Sequence, residues 1–199
     1  MKSKLHPDDI WVFAYGSLMW NPGFAVEESR PALLRGYHRA FCMWSTSYRG
    51  TADSPGLVLG LDRGGACRGL AIRIGAHRKD EILKYLIARE TPPDDDVYAF
   101  RPVPVEFEDG TRVDAHAFIA NRANAKYAGK LSLEKTARVV AAACGKRGTC
   151  RDYLANTVRH LDELGVADGP LHALLRRVEA LCYDQDKPKR EKQREAHKL

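Results

Sequence analysis

The sequence has no paired cysteines. Cys42, Cys67, Cys144, Cys150 and Cys182 are odd in number and scattered, with no C-x-x-C spacing. That excludes a disulfide framework and argues against a zinc site, leaving free thiols of a reducing compartment as the reading. No apolar run approaches the length needed to span a bilayer. The first ten residues, MKSKLHPDDI, lack the apolar stretch of a secretory signal, so the expected location is the cytoplasm. There is no repeat at solenoid spacing, no G-x-S-x-G elbow, and no glycine-rich phosphate loop closed by a lysine. The histidines, among them His38 and His116 in strand-like runs, show no ligand-like spacing, and no metal is expected. Positive charge is present but not concentrated. Of the formal +6, the segment after Tyr183 carries +2, from six Lys/Arg and four Asp/Glu. The remaining charge is spread over the body, a mild bias toward an anionic substrate that does not form the basic stripe of a nucleic-acid binder.

What is present suffices for one core. The chain has 199 residues, 44% of them hydrophobic, and the expected organisation is a single domain over residues 1–183 followed by a basic, disordered tail over 184–199. From Ile10 to about Ile74 the pattern is β-like, with apolar runs at IWVFAY, LLRGYHRAFCMW, LVLGL and CRGLAIRI. Turns are expected at Pro55-Gly56 and at Gly64-Gly65, the second closing a hairpin. KDEILKYLIARE switches to helical spacing. Strands return from Phe100 to Phe107 and in RVDAHAFIA, joined by Asp109-Gly110 as a hairpin. The last third is helical, with Ser132 as a cap and Gly145 and Gly165 as stops. The order predicts an α+β fold with a helical C-terminal third, the last helices packed outside a curved sheet or small barrel.

Two local features invite chemistry. The first is WVFAYGSLMW, where a buried strand stops at Tyr15-Gly16-Ser17-Leu18. Gly16 permits a tight turn, and the amides from Gly16 to Met19 can face a ligand oxygen, a carboxylate by preference; an ordinary turn explains the same residues. The second is Glu90. In the helix from Asp80 the apolar residues Ile82, Leu83, Leu86 and Ile87 define one face. Glu90 follows Leu83 by seven and Leu86 by four, which aims its carboxylate along that stripe. Burial raises a carboxyl pKa and makes it a proton shuttle. Pairing with Arg89 or exposure at a frayed helix end is the structural alternative. Glu81 lies on the opposite face and, with Asp80, suits the helix dipole.

WVFAYGSLMWNPGF, GYHRAF, STSYRGT, PGLVLGL, YLIARE and KYAGKLSLE occur in that order. This ordered set resembles the ChaC-type γ-glutamylcyclotransferases from Trp11 to about Val178. The resemblance implies a substrate pocket lined by Ala14, Tyr15, Gly16, Ser17, Leu18 and Met19, with Glu90 as the general acid–base. It implies a small mixed β-barrel flanked by helices, and cleavage of glutathione to 5-oxoproline and cysteinylglycine with no cofactor and no metal. A monomer or dimer is expected. Another γ-glutamyl amine or dipeptide as substrate, or a non-enzymatic role regulating a cation antiporter, are the alternatives. Arg49 and Tyr127 are further candidate contacts, outside the core set. After Glu90, Thr91-Pro92-Pro93-Asp94-Asp95-Asp96-Val97 departs from the family's glycine-containing stretch, and either gates the site or merely connects.

Overall fold

A computed structural model describes residues 7–91 and 95–196, with side chains through residue 184. The described residues of Met1–Met43 and Leu59–Tyr127 form one compact unit, those of Trp44–Val58 and Ala128–Leu199 a second. The fold is α+β.

The first unit holds, but for the end of β2 and the start of β3, a closed five-stranded barrel in the order β1 (Ile10–Ala14), β3 (Gly56–Ile74), β2 (Glu28–Ser45), β4 (Tyr98–Phe107), β5 (Arg112–Ala120). β1 runs antiparallel to β3, with Ala14 opposite Leu70, and parallel to β5, with Trp11 opposite Ala115. This mixed pairing closes the cylinder and leaves no open edge. Alternation selects the filling: Trp11 and Phe13 from β1, Val103, Val105 and Phe107 from β4, and Ala115, Ala117 and Ile119 from β5 share one core with Leu34, Leu61 and Ala71. Small residues on β5 face large ones on β1 and β4, and Trp11 meets Phe107 edge to face at 5.2 Å.

The hairpin at Asp109-Gly110 forms as expected, with Gly110 at φ +81° and the Phe107 amide bonded to the Thr111 carbonyl at 2.8 Å. The hairpin expected at Gly64-Gly65 does not form. β3 continues unbroken through both glycines, which take φ of +98° and +70°. Positive φ at consecutive glycines bends a strand without reversing it, so the signal for a turn here marks a bend in a long barrel strand.

α1 (Lys79–Glu90) belongs to the same unit. It buries Ile82 and Leu86, whereas Ile87, expected on that face, is 45% exposed. The second unit contains α2 (Leu133–Ala142), a short ribbon of β6 (Cys144–Gly145) and β7 (Gly148–Thr149), α3 (Cys150–Glu163) and α4 (Gly169–Ala196). Ser132 caps α2 by accepting from the Lys135 amide, as expected, and Thr149 caps α3 through the Asp152 amide. Gly165, at φ +66°, follows the end of α3. The backbone of α4 is helical to Ala196. No helix among the described residues is long and apolar enough to cross a membrane.

One glycine governs the end of β1. A Cβ on Gly69 would lie 2.3 Å from the Ala14 carbonyl oxygen and 2.9 Å from Phe13 Cζ. Those neighbours are backbone and a packed ring, and neither yields cheaply. Gly69→Ala is therefore expected to destabilise the fold by about 1–3 kcal/mol, measured by urea denaturation. An unchanged midpoint would mean that β1 can shift aside.

Candidate active site

Strand parity sets the first half of the site. Trp11 and Phe13 point into the barrel, and Tyr15, two further along, packs against the same core. The Tyr15 hydroxyl donates to the Phe118 carbonyl at 2.9 Å, and its own carbonyl accepts from Nε of Arg39. Arg39 is 5% exposed and also donates to the Arg68 carbonyl at 2.7 Å. A buried guanidinium thus fixes the main chain just before the turn.

The chain then enters a 3-10 turn, Ser17–Met19. Met19 donates to the Gly16 carbonyl at 2.9 Å, so of the four amides expected to face a ligand that of Met19 is committed within the turn. The amides of Ser17 and Leu18, as the first of a helical turn, have no acceptor inside it. Ala14, Leu18 and Met19 are buried side chains, at 0%, 8% and 8% exposure. What Ala14, Tyr15, Leu18 and Met19 have left for a ligand is chiefly main chain. Gly16 has φ −139° and ψ −137°, neither helical nor extended. A Cβ there would meet only Leu59 Cδ1 within 4 Å, at an ordinary 3.5 Å. The neighbouring atoms leave room for a Cβ, so crowding is not what places a glycine here.

Glu90 supplies the second half, at the last position of α1. Thr91 ends the helix by sending both its amide and its hydroxyl to the Ile87 carbonyl, at 2.8 and 2.6 Å. The Glu90 side chain is 23% exposed and its Oε1 lies 3.0 Å from Nε of Arg89. Both readings of Glu90 are therefore present at once: it is largely buried, and it is paired. Burial raises its carboxyl pKa, and the Arg89 charge and hydrogen bond pull it back without cancelling the rise. Glu81 is exposed and pairs with Arg78, as its position on the opposite face implies.

Arg89 joins the two halves. Its Nη2 donates to Ser17 Oγ at 2.9 Å, and its Nη1 donates to the carbonyls of Asn21 and Pro22 at 2.8 and 3.2 Å. One guanidinium thus separates the Glu90 carboxylate from the Ser17 hydroxyl. Sequence reasoning treated Arg89 only as a counter-ion and missed this.

A second polar cluster centres on Asp62 of β3, 6% exposed. Its carboxylate accepts from Arg122 at 2.7 Å, the Tyr127 hydroxyl at 2.9 Å and the Arg63 amide at 2.9 Å. Burial pushes the Asp62 carboxyl up, but these bonds outweigh it and hold it below the usual range. Burial and the bond to Asp62 raise the Tyr127 phenol, which keeps its proton and commits it to Asp62. Cys42, in the same environment, is pushed up to about 12 by burial and is inert as a nucleophile. The signal for both Asp62 and Arg39 was available: a charged residue inside an apolar strand run. Beyond the segment 92–94, which lies outside the described residues, Asp96 accepts from Asn121 at 2.9 Å and from Asn124 at 2.7 Å, and Asp95 pairs with Lys126. Arg49, in the second unit, donates to the carbonyls of Arg147 and Thr149 and lies over the Tyr153 ring. No three His, Cys, Asp or Glu side chains among the described residues are grouped to hold a metal ion.

Residues 10–181 match the family described as ChaC-like protein. The chain belongs to the ChaC-like family. This ChaC-like chain is 37% identical over 180 residues to the glutathione-specific γ-glutamylcyclotransferase of Escherichia coli (strain K12), covering 89% of this chain and 77% of that protein. It is 32% identical to γ-glutamylcyclotransferase 2-3 of Arabidopsis thaliana, covering 89% and 92%. Its fold matches a crystal structure of a γ-glutamyl cyclotransferase specific to glutathione from yeast, with TM-score 0.78, 23% identity and coverage of 87% and 96%.

The raised pKa of Glu90 has a thermodynamic consequence. The folded chain holds this proton more tightly than the unfolded chain, so the ionised form costs stability. That cost is complete above the folded pKa and vanishes below the ordinary value of 4.5. Glu90→Gln is expected to be at least as stable as wild type at neutral pH, the advantage shrinking as pH falls through this window. Urea melts from about pH 4 to about pH 8 check this, and a less stable variant at neutral pH would mean that the Arg89 pair outweighs burial.

Proposed function

We propose that this chain is a γ-glutamylcyclotransferase that degrades glutathione to 5-oxoproline and cysteinylglycine. The observation that carries the reading is a largely buried carboxylate, Glu90, with raised proton affinity, one guanidinium away from the Ser17–Met19 turn, whose first amides have no acceptor within it.

The reaction is an internal aminolysis. The γ-glutamyl amine attacks its own γ-carbonyl carbon, a five-membered ring closes, and the bond to the cysteine nitrogen breaks. The nucleophile is tethered to its target, so the protein's main task is to hold the glutamyl chain folded, where orientation contributes several kcal/mol. The amine arrives as ammonium and must lose a proton; the departing nitrogen must gain one. As the ring closes the attacking nitrogen sheds a second proton to become the lactam N–H, and the departing nitrogen takes up a second to leave as the cysteinylglycine ammonium; Glu90 relays each in turn, so protons balance without a cofactor. A carboxyl shifted upward suits both halves of that exchange, because its affinity lies closer to those of the groups it serves.

The turn complements this. The amides of Ser17 and Leu18 can hold the glutamyl α-carboxylate without a full charge that would favour ionised Glu90. Gly16 allows the substrate to come close, and Ala14, Tyr15, Leu18 and Met19 supply the buried frame of the turn. The glutathione-specific names of the relatives support glutathione over another γ-glutamyl amine or dipeptide, and they support an enzyme over an antiporter regulator. The chain is read as a cytoplasmic monomer or dimer.

Purified protein incubated with glutathione is expected to release equimolar 5-oxoproline and cysteinylglycine, with other γ-glutamyl peptides turned over poorly. Glu90→Gln is expected to lose on the order of 10²–10⁴-fold in kcat while still binding glutathione. Near-normal turnover in that variant would remove Glu90 from the chemistry, and an inactive wild type would end the assignment.

A further inference from the structure

Arg89 makes more polar contacts around the candidate site than any single role requires. Nε faces Glu90 at 3.0 Å, Nη2 faces the Ser17 hydroxyl at 2.9 Å, and Nη1 faces the carbonyls of Asn21 and Pro22 and the Tyr85 hydroxyl, the last at 3.3 Å. Its side chain is 23% exposed. We propose that Arg89 is a positioning residue, one rigid guanidinium that sets the turn holding the substrate and the carboxylate moving the proton at a fixed separation. This rests on the cyclotransferase reading given above.

The argument is geometric. A guanidinium is planar, and its donors point in fixed directions, so it cannot turn toward one partner without loosening the others. Glu90 and Ser17 lie on different elements, α1 and the turn after β1, 73 positions apart in sequence. Arg89 bonds to both, and to the two carbonyls that lead out of the turn. Because Arg89 supplies the proton in its bond to Ser17 Oγ, the serine hydroxyl keeps its own proton to donate onward. Cyclisation tolerates little slack here, since the amine must lie within reach of Glu90 while the carboxylate end is held by the turn.

The same contact tunes the acid. Arg89 is the charged group acting on Glu90 among the described residues; the turn presents the uncharged Ser17 hydroxyl, and the Tyr85 phenol sits beside the guanidinium. Burial raises the Glu90 pKa and Arg89 opposes that rise, so removing the cation moves it further up.

Arg89→Met and Arg89→Lys, with folding followed by circular dichroism, test this. For Arg89→Met, kcat/KM on glutathione is expected to fall on the order of 10²-fold. KM should rise, and the acid-side limb of the pH profile should move to higher pH. Arg89→Lys restores charge but not the fork, so the limb should return toward wild type while KM stays raised. A folded Arg89→Met with wild-type KM and an unmoved limb would overturn the proposal. If Arg89→Met does not fold, wild-type KM in Arg89→Lys would do the same. Glu90 titration by carbon-13 NMR needs no turnover. If wild type releases no 5-oxoproline, the cyclotransferase reading fails, and an unmoved Glu90 titration in Arg89→Met then refutes the coupling separately.

Discussion

A carboxylate 3.0 Å from a guanidinium ordinarily gives up its proton readily. At Glu90 burial wins over that attraction, and the net shift is upward. The site depends on this balance. Without the guanidinium, a buried carboxyl would hold its proton more tightly still. With full solvent access, it would ionise at the usual range and be a poor acid toward a departing amine nitrogen. α1 achieves the compromise by ending there: Glu90 is the last helical residue, and Thr91 closes the helix on the Ile87 carbonyl. The carboxylate stays in register with the buried Ile82 and Leu86, yet at the last position of the helix it keeps partial exposure.

The barrel prepares the other half by parity and close approach. Alternation along β1 drives Trp11, Phe13 and Tyr15 to one side, so the turn that follows starts from an anchored tyrosine. Arg39 holds the Tyr15 carbonyl from β2, and Gly69 of β3 makes room for the Ala14 carbonyl. Three strands therefore constrain a few residues of main chain. Such preorganisation matters for a reaction in which the nucleophile is already attached to its target and only its folding must be imposed.

Much of this was legible in the residues. The apolar run ending at Tyr15, the Asp109-Gly110 hairpin and the Ser132 cap each combine a period with a turn or cap residue whose chemistry admits one outcome. Glu90 was legible because seven and four residues separate it from Leu83 and Leu86, although Ile87 turned outward and narrowed the face. Gly64-Gly65 misled because glycine at positive φ serves a bend and a reversal equally, and only the barrel's need for a long strand decides between them. Arg89 was invisible as a bridge for a different reason. Its partners lie at Ser17, Asn21 and Pro22, and one-dimensional spacing carries no information about contacts made after the barrel closes. The buried charges Asp62 and Arg39 stood out as exceptions in apolar strands, but their partners were equally remote.

The most direct test is the structure of Glu90→Gln with glutathione bound. The glutamyl α-carboxylate is predicted to rest on the amides of Ser17 and Leu18. The side chain of residue 90 should then lie within hydrogen-bond reach of both the γ-glutamyl amine and the cysteine nitrogen. Glutathione bound with its amine and scissile bond away from residue 90, or away from the Ser17 turn, would contradict it.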